Sequence, residues 1–83
     1  MERNDSLRPN DEVTITMFGP DNSRLYQTTN TGYHSLEMAI NSLITEANLG
    51  IDPKDCVFEV TNNTTGVSHR YRLNAHGNLK LII

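Results

Sequence analysis

The stretch SLEMAINSLITEANLG, residues 35–50, decides the fold because a helical period is clearest there. Its apolar side chains recur at Leu36, Ile40, Leu43, Ile44 and Ala47. This spacing puts them on one face of an α-helix, and the polar residues fall mostly on the others. The sequence therefore predicts one amphipathic helix, whose apolar stripe must be buried against another element.

Signals at both ends limit the length of this helix. His34 or Ser35 is expected at the N-cap, and Glu37 lies in the first turn, where the helix dipole favours an acid. Gly50 is expected to supply a left-handed residue after the last turn, with Ile51 packing back on that turn as in a Schellman motif. A helix of about 14 residues would span roughly 21 Å, enough to cross a small sheet.

The residues before the helix have a period of two. EVTITMF (12–18) alternates apolar and polar side chains and contains β-branched residues, which is typical of a strand. GPDNS (19–23) is rich in turn formers, and RLYQTT (24–29) reads as the returning strand. We therefore predict a β-hairpin before the helix.

Three further strands are expected after the helix. DPKD (52–55) suits a type I turn and leads into the strand CVFEVTN (56–62). The loop that ends at Gly66 then leads into VSHRYRL (67–73), and the turn NAHGN separates this strand from LKLII (79–83). Tyr71 and Leu81 are expected on the helix side of the sheet.

The predicted order is β-β-α-β-β-β, an α+β fold of two layers. The simplest way to bury one apolar helix stripe and one apolar face per strand is to lay the helix on one face of a mostly antiparallel sheet. Residues 1–11 are polar and contain Pro9, so we expect a flexible N-terminal tail there. Residues 12–83 are then a single α+β domain.

Composition limits the class of protein. The chain has 83 residues, a formal net charge of −3, a pI of about 5.4 and one cysteine, so it has no intrachain disulfide framework. It has no recognisable signal peptide and no apolar run near the length of a membrane span. We expect a cytoplasmic protein without membrane contact, and these features suit a bacterial or phage accessory protein.

No chemical motif stands out. His34, His69, His76 and Cys56 do not share the spacing of metal ligands, and the default role of Cys56 at a strand start is that of a small buried apolar residue. The acids of residues 52–55 lie in a predicted turn and do not look pocketed, and no glycine-rich loop precedes the helix. We therefore expect no catalytic site, no metal and no cofactor, and a protein that is not an enzyme.

The charge of the chain is uneven. Residues 1–56 carry nine acids and four bases, whereas residues 57–83 carry one acid, Glu59, and three bases. Alternation places the three bases on one face of the last two strands, and parity adds three apolar residues to that face. The candidate binding face is thus Arg70, Arg72, Lys80, Val57, Phe18 and Ile82.

Two interpretations of this face stay open. The cations can simply keep the solvent side of the sheet soluble, with Glu59 as a partner across the strands. Alternatively, the face, or LKLII as an uncovered edge strand, contacts a protein partner or a second copy of the chain. We expect such a protein-binding or dimerising module; the alternative is weak binding of nucleic acid or phosphate, which the acidic pI disfavours.

Overall fold

The computed structural model describes residues 7–82 and confirms the predicted layout of one helix on an antiparallel sheet. The elements are β1 (Val13–Phe18), β2 (Arg24–Asn30), α1 (Leu36–Ala47), a 3₁₀ turn (Pro53–Asp55), β3 (Val57–Asn62), β4 (Val67–Leu73) and β5 (Leu79–Leu81). Residues 1–6, which belong to the predicted tail, lie outside the described residues, as does Ile83.

The five strands lie in the order β2-β1-β3-β4-β5, and all neighbouring strands are antiparallel. The chain leaves β2 at one edge of the sheet, and α1 carries it past β1 to β3 in the centre. Two further hairpins then bring it to β5 at the other edge. The last strand is therefore an edge strand.

The core lies between α1 and one face of the sheet. The buried apolar residues of the sheet include Val13, Ile15, Met17, Phe58, Val60 and Tyr71, and those of the helix are Leu36, Ala39, Ile40 and Leu43. The strand residues are alternate ones, as predicted, and three of the four helix residues belong to the predicted stripe. Ala39 is buried in addition, while Ile44 and Ala47 of that stripe are only partly buried. The two periods in the sequence thus meet in a single apolar layer.

The N-terminal end of α1 agrees with the prediction, and its C-terminal end does not. The Ser35 hydroxyl accepts a hydrogen bond of 3.1 Å from a backbone N–H of the first turn, as an N-cap does. At the other end, Asn48 takes the left-handed conformation (φ 46°), and its N–H donates to the carbonyl of Ile44. Gly50 does take the predicted left-handed conformation (φ 71°), but the prediction that it caps α1 is wrong, because asparagine also tolerates this conformation and Asn48 ends the helix two residues earlier. Ile51 stays 38% exposed.

The helix covers the sheet unevenly. It packs on β1 and β2, and no comparable contact of α1 with β5 exists within residues 7–82. Leu81 is opposite Tyr71 in the register and so lies on the helix side, as predicted, yet it is 54% exposed. The expectation that the helix would cover Leu81 is wrong, since α1 lies over the other half of the sheet.

The described end of the predicted tail contacts the domain. Leu7 packs against the core, and the carbonyl of Pro9 accepts a hydrogen bond of 2.8 Å from the N–H of Gly32. Asp11 is buried, and its carboxylate accepts a hydrogen bond of 2.9 Å from the side-chain amide of Asn62. These contacts tie the segment before β1 to the loop after β2 and to the end of β3.

Candidate binding face

The face of the sheet opposite α1 carries the predicted binding residues. Phe18 on β1 is opposite Val57 on β3, and Arg72 on β4 is opposite Lys80 on β5. Since Phe58 pairs with Tyr71, the same register puts Val57 beside Arg72. One continuous row therefore crosses four strands, with two apolar residues followed by two cations.

The neighbouring row completes the face. The N–H of Ile82 donates a hydrogen bond of 2.8 Å to the carbonyl of Arg70, so these two residues pair across β4 and β5. The structure thus brings the six predicted residues together at one end of the open face. They are called the basic–apolar patch below: Arg70, Arg72, Lys80, Val57, Phe18 and Ile82.

Sequence reasoning missed a fourth cation at this end. Arg24 on β2 is opposite Phe18, because a β-bulge shifts the register between Met17 and Phe18 and leaves Leu25 as the extra residue. Simple alternation along β2 does not reveal such a shift, since a bulge is a property of the strand pair. Arg24 extends the row of Phe18 and Val57 onto β2, so the row crosses all five strands.

Arg70 is held in place on the patch. Its Nε donates a hydrogen bond of 3.1 Å to Oε2 of Glu59, the residue opposite it on β3. Its guanidinium carbon lies 5.4 Å from the centroid of the Phe18 ring, within the range of a cation–π contact. The predicted partnership of Arg70 with Glu59 is therefore present, and it offsets one of the three positive charges.

The other two cations have no such partner. Arg72 and Lys80 are exposed, directly opposite each other, and within residues 7–82 no carboxylate lies within 4.0 Å of either. Like charges directly opposite each other on neighbouring strands destabilise a sheet. This end of the face is consequently electropositive, although the chain as a whole is acidic.

The opposite end of the same face is mostly polar and carries one acid, Glu12, whose carboxylate accepts a hydrogen bond of 3.2 Å from the side-chain amide of Asn63. Its side chains bond to each other: the hydroxyls of Thr14 and Thr29 are 2.8 Å apart, and those of Thr61 and Ser68 are 3.0 Å apart. Between the two ends, Thr16 accepts a hydrogen bond from the side-chain amide of Gln27. Positive charge on the open face is thus concentrated at the end that carries the basic–apolar patch.

Cys56 is buried at the start of β3 and does not belong to this face. Burial raises the pKa of its thiol above the ordinary value of 9.0, and the nearby carboxylates of Asp55 and Asp52 raise it further. The thiol is therefore protonated at neutral pH, whereas a nucleophilic cysteine needs the thiolate.

The three histidines are scattered. His34 and His76 are exposed in separate loops, while His69 is half-buried on the helix side, with its ring centroid 6.3 Å from that of Tyr71. A cavity of about 10 Å³ beside His69 and Tyr71 has room for roughly one water molecule. Within the part of the chain that the structure describes, no three His, Cys, Asp or Glu side chains are grouped to hold a metal ion.

The one α-helix of residues 7–82 has 12 residues, and no helix there has the length and apolar character of a membrane span. Compared with protein-family models, with curated proteins and with solved structures, the chain matches none of them.

Proposed function

We propose that this protein is a small non-enzymatic binding module whose basic–apolar patch contacts an acidic surface on another protein. The observation that supports this most strongly is the pair formed by Arg72 and Lys80, which are exposed and opposite each other, with no carboxylate of residues 7–82 within 4.0 Å. Placing two cations opposite each other costs stability in the free protein. An anionic partner between them would remove that repulsion, so the arrangement favours binding.

The apolar members of the patch favour a protein partner. Phe18 and Val57 are partly exposed in the middle of the sheet, and Ile82 is 47% exposed at its edge. Protein interfaces combine such an apolar centre with arginine and a polar rim. Binding of phosphate groups alone would gain nothing from the apolar residues at the centre of the patch.

The charge of the patch argues against a second copy of the chain at this site. A symmetric dimer brings the same surface patch of two subunits together. Here that would place Arg72 and Lys80 against Arg72 and Lys80 of the partner subunit, and Glu59 is the one acid of residues 57–83 in each copy that could offset them. A partner with carboxylates opposite these cations avoids the repulsion.

The test is titration of the ¹⁵N-labelled protein with a 12-residue peptide of alternating Glu and Leu. We expect chemical-shift changes centred on Phe18, Val57, Arg72 and Lys80, and affinity that falls as salt is added. A matched peptide of Gln and Leu should bind much more weakly. A single-stranded oligonucleotide of the same length serves as the nucleic-acid arm.

Two variants distinguish binding at the basic–apolar patch from attraction by the net charge of the protein. Arg72→Ala should weaken binding of the acidic peptide about fivefold, the effect of roughly 1 kcal/mol from one exposed ion pair. Arg8→Ala removes the same charge from an exposed residue before β1, at the far end of the sheet, and should leave affinity nearly unchanged. Equal losses in both variants, or tight binding of the oligonucleotide without binding of the peptide, would overturn the proposal.

A further inference from the structure

The outer edge of β5 is a second surface, which binds through backbone groups, although Lys80 and Ile82 at this edge also belong to the basic–apolar patch. In antiparallel strands, residues alternate between pairs that exchange backbone hydrogen bonds and pairs that do not. The N–H of Ile82 donates to the carbonyl of Arg70, and the N–H of Asn74 donates to the carbonyl of Asn78. The even-numbered residues of β5 therefore turn their backbone groups towards β4.

The odd-numbered residues consequently turn theirs away from the sheet. The N–H and C=O groups of Leu79 and Leu81 point to the free edge, where another strand can accept and donate hydrogen bonds. The side chains at this edge are apolar on both faces, since Leu81 is 54% and Ile82 47% exposed. No other strand of residues 7–82 pairs with this edge, so its outward backbone groups, flanked by exposed apolar side chains, are available within the described part of the chain.

The opposite edge of the sheet lacks this combination. β2 carries exposed polar side chains such as Gln27 and Asn30, and its bulge at Leu25 disturbs the regular ladder. Polar side chains and bulges are features that protect natural edge strands from pairing. On β5 the protective features are its length of three residues and Lys80.

We infer that two copies of this chain pair through β5, in antiparallel orientation about a two-fold axis at Leu81. An axis at Lys80 would put two ammonium groups side by side, which is unfavourable. The axis at Leu81 instead lets Leu81 exchange two backbone hydrogen bonds with Leu81 of the partner subunit. It also places Lys80 opposite Ile82 of the partner subunit.

This pairing joins the two sheets into one. The axis is perpendicular to the sheet, so both helices lie on one side and both open faces on the other. The two basic–apolar patches become neighbours without meeting face to face. Because the contact is short and small, the dimer is weak and concentration-dependent.

Sedimentation equilibrium from about 10 µM to about 1 mM tests the dimer, since weak interfaces of this size need such concentrations. We expect the mass to rise from the monomer value of 9.4 kDa towards twice that value. Amide exchange of Leu79 and Leu81 should slow over the same range. A monomer at every concentration would overturn the inference.

Two variants at one position separate backbone pairing from side-chain contact. Leu81→Pro removes the N–H that points to the free edge and leaves the bonds between β4 and β5 intact, so it should abolish the dimer. Leu81→Ala keeps that N–H and should still dimerise, with affinity reduced by the smaller side chain. Dimers of equal strength in both variants would contradict pairing through the backbone.

A semisynthetic protein tests the same backbone N–H in case the proline variant misfolds. Cys56 permits ligation of residues 1–55 to a synthetic segment of residues 56–83 that carries an N-methyl group on Leu81. The N-methyl protein should match the wild-type circular dichroism and remain monomeric. If it folds and dimerises like the wild type, the inference fails.

Discussion

The side-chain amide of Asn62 donates a hydrogen bond of 2.9 Å to the carboxylate of Asp11, although 51 positions separate the two residues. Both residues are buried. The carbonyl oxygen of the same amide accepts hydrogen bonds from the N–H groups of Thr64 and Thr65. One side chain therefore joins the segment before β1 to the turn between β3 and β4.

We expect Asn62→Ala to lower the free energy of unfolding by about 2 kcal/mol, because it leaves buried groups without partners. Urea unfolding followed by circular dichroism measures this loss. Asn63→Ala is the matched control: Asn63 is exposed, and its amide bonds to Glu12 and Thr14 near the surface. Its loss should be well below that of Asn62→Ala, and an equal loss would contradict the special role of Asn62.

The contact between Asp11 and Asn62 also shows where sequence reasoning stops. Alternation predicted which residues of each strand face the helix, and the change of period at residue 35 predicted α1. Such patterns report local conformation and burial. They contain no information on which distant polar groups meet, so the sequence alone places Asp11 in a tail, whereas in the structure it is buried.

Some features of the candidate binding face likewise follow from the sequence, and others do not. The six residues of the basic–apolar patch follow from parity and from the hairpin that pairs β4 with β5. Arg24 does not follow, because its position depends on a bulge in the pairing of β1 with β2. The exposure of Leu81 does not follow either, since it depends on where α1 lies across the sheet.

The thiol of Cys56 makes stability depend on alkaline pH. Its pKa is raised in the folded protein, chiefly by burial, so folding favours the protonated thiol. This contribution is fully present below the ordinary pKa of 9.0 and is lost as pH rises through the higher folded pKa. The unfolding free energy of the wild type should therefore fall, relative to Cys56→Ala, between neutral pH and alkaline pH.

Urea unfolding of both proteins over this pH range measures the difference, and the other titrating groups largely cancel in the comparison. A difference that stays constant up to strongly alkaline pH would contradict the prediction. In the folded protein at neutral pH, Cys56 should also react with a thiol reagent only as fast as the chain opens.

Tyr26 links β2 to α1 through its hydroxyl, which donates a hydrogen bond of 3.0 Å to Glu46. This bond raises the pKa of Tyr26 above 10.0, and burial and the charge of Glu46 raise it further. Stability from this group is thus present below the ordinary pKa and is lost as pH rises through the higher folded pKa. Glu46→Gln should lower the pKa of Tyr26 because it removes the charge.

Nuclear magnetic resonance of ¹³C-labelled tyrosine, titrated above neutral pH, measures this change at Tyr26 separately from the other two tyrosines. Glu37→Gln removes the same charge at the opposite end of α1 and should leave the titration of Tyr26 almost unchanged. The assignment fails if Glu37→Gln and Glu46→Gln have the same effect.

The left-handed residue after α1 offers a stabilising substitution. Asn48 has a φ of 46°, a conformation that glycine adopts without the steric cost of a side chain. Asn48→Gly should therefore raise the free energy of unfolding by a few tenths of a kcal/mol, and Asn48→Val should lower it by roughly 1–2 kcal/mol. Thermal and urea unfolding measure both changes, and a stable valine variant would show that the helix ends elsewhere.

Glu59 offers a way to strengthen the proposed binding site without building new contacts. Its carboxylate neutralises Arg70, and its side chain is 32% exposed, so the ion pair contributes at most about 1 kcal/mol to stability. Glu59→Gln keeps a hydrogen-bond acceptor but leaves the charge of Arg70 available to a partner. We expect the acidic Glu–Leu peptide to bind this variant two- to fivefold more tightly, with roughly 1 kcal/mol as the upper limit.

The matched control is Glu12→Gln, which removes an exposed acid at the start of β1, at the other end of the sheet. This substitution changes the net charge by the same amount as Glu59→Gln. It should alter the affinity much less, because the charge of Glu12 lies more than a Debye length from the patch at physiological salt. Isothermal titration at two salt concentrations compares the two variants. Equal gains would mean that the peptide responds to the net charge of the protein, and the basic–apolar patch would no longer be its binding site.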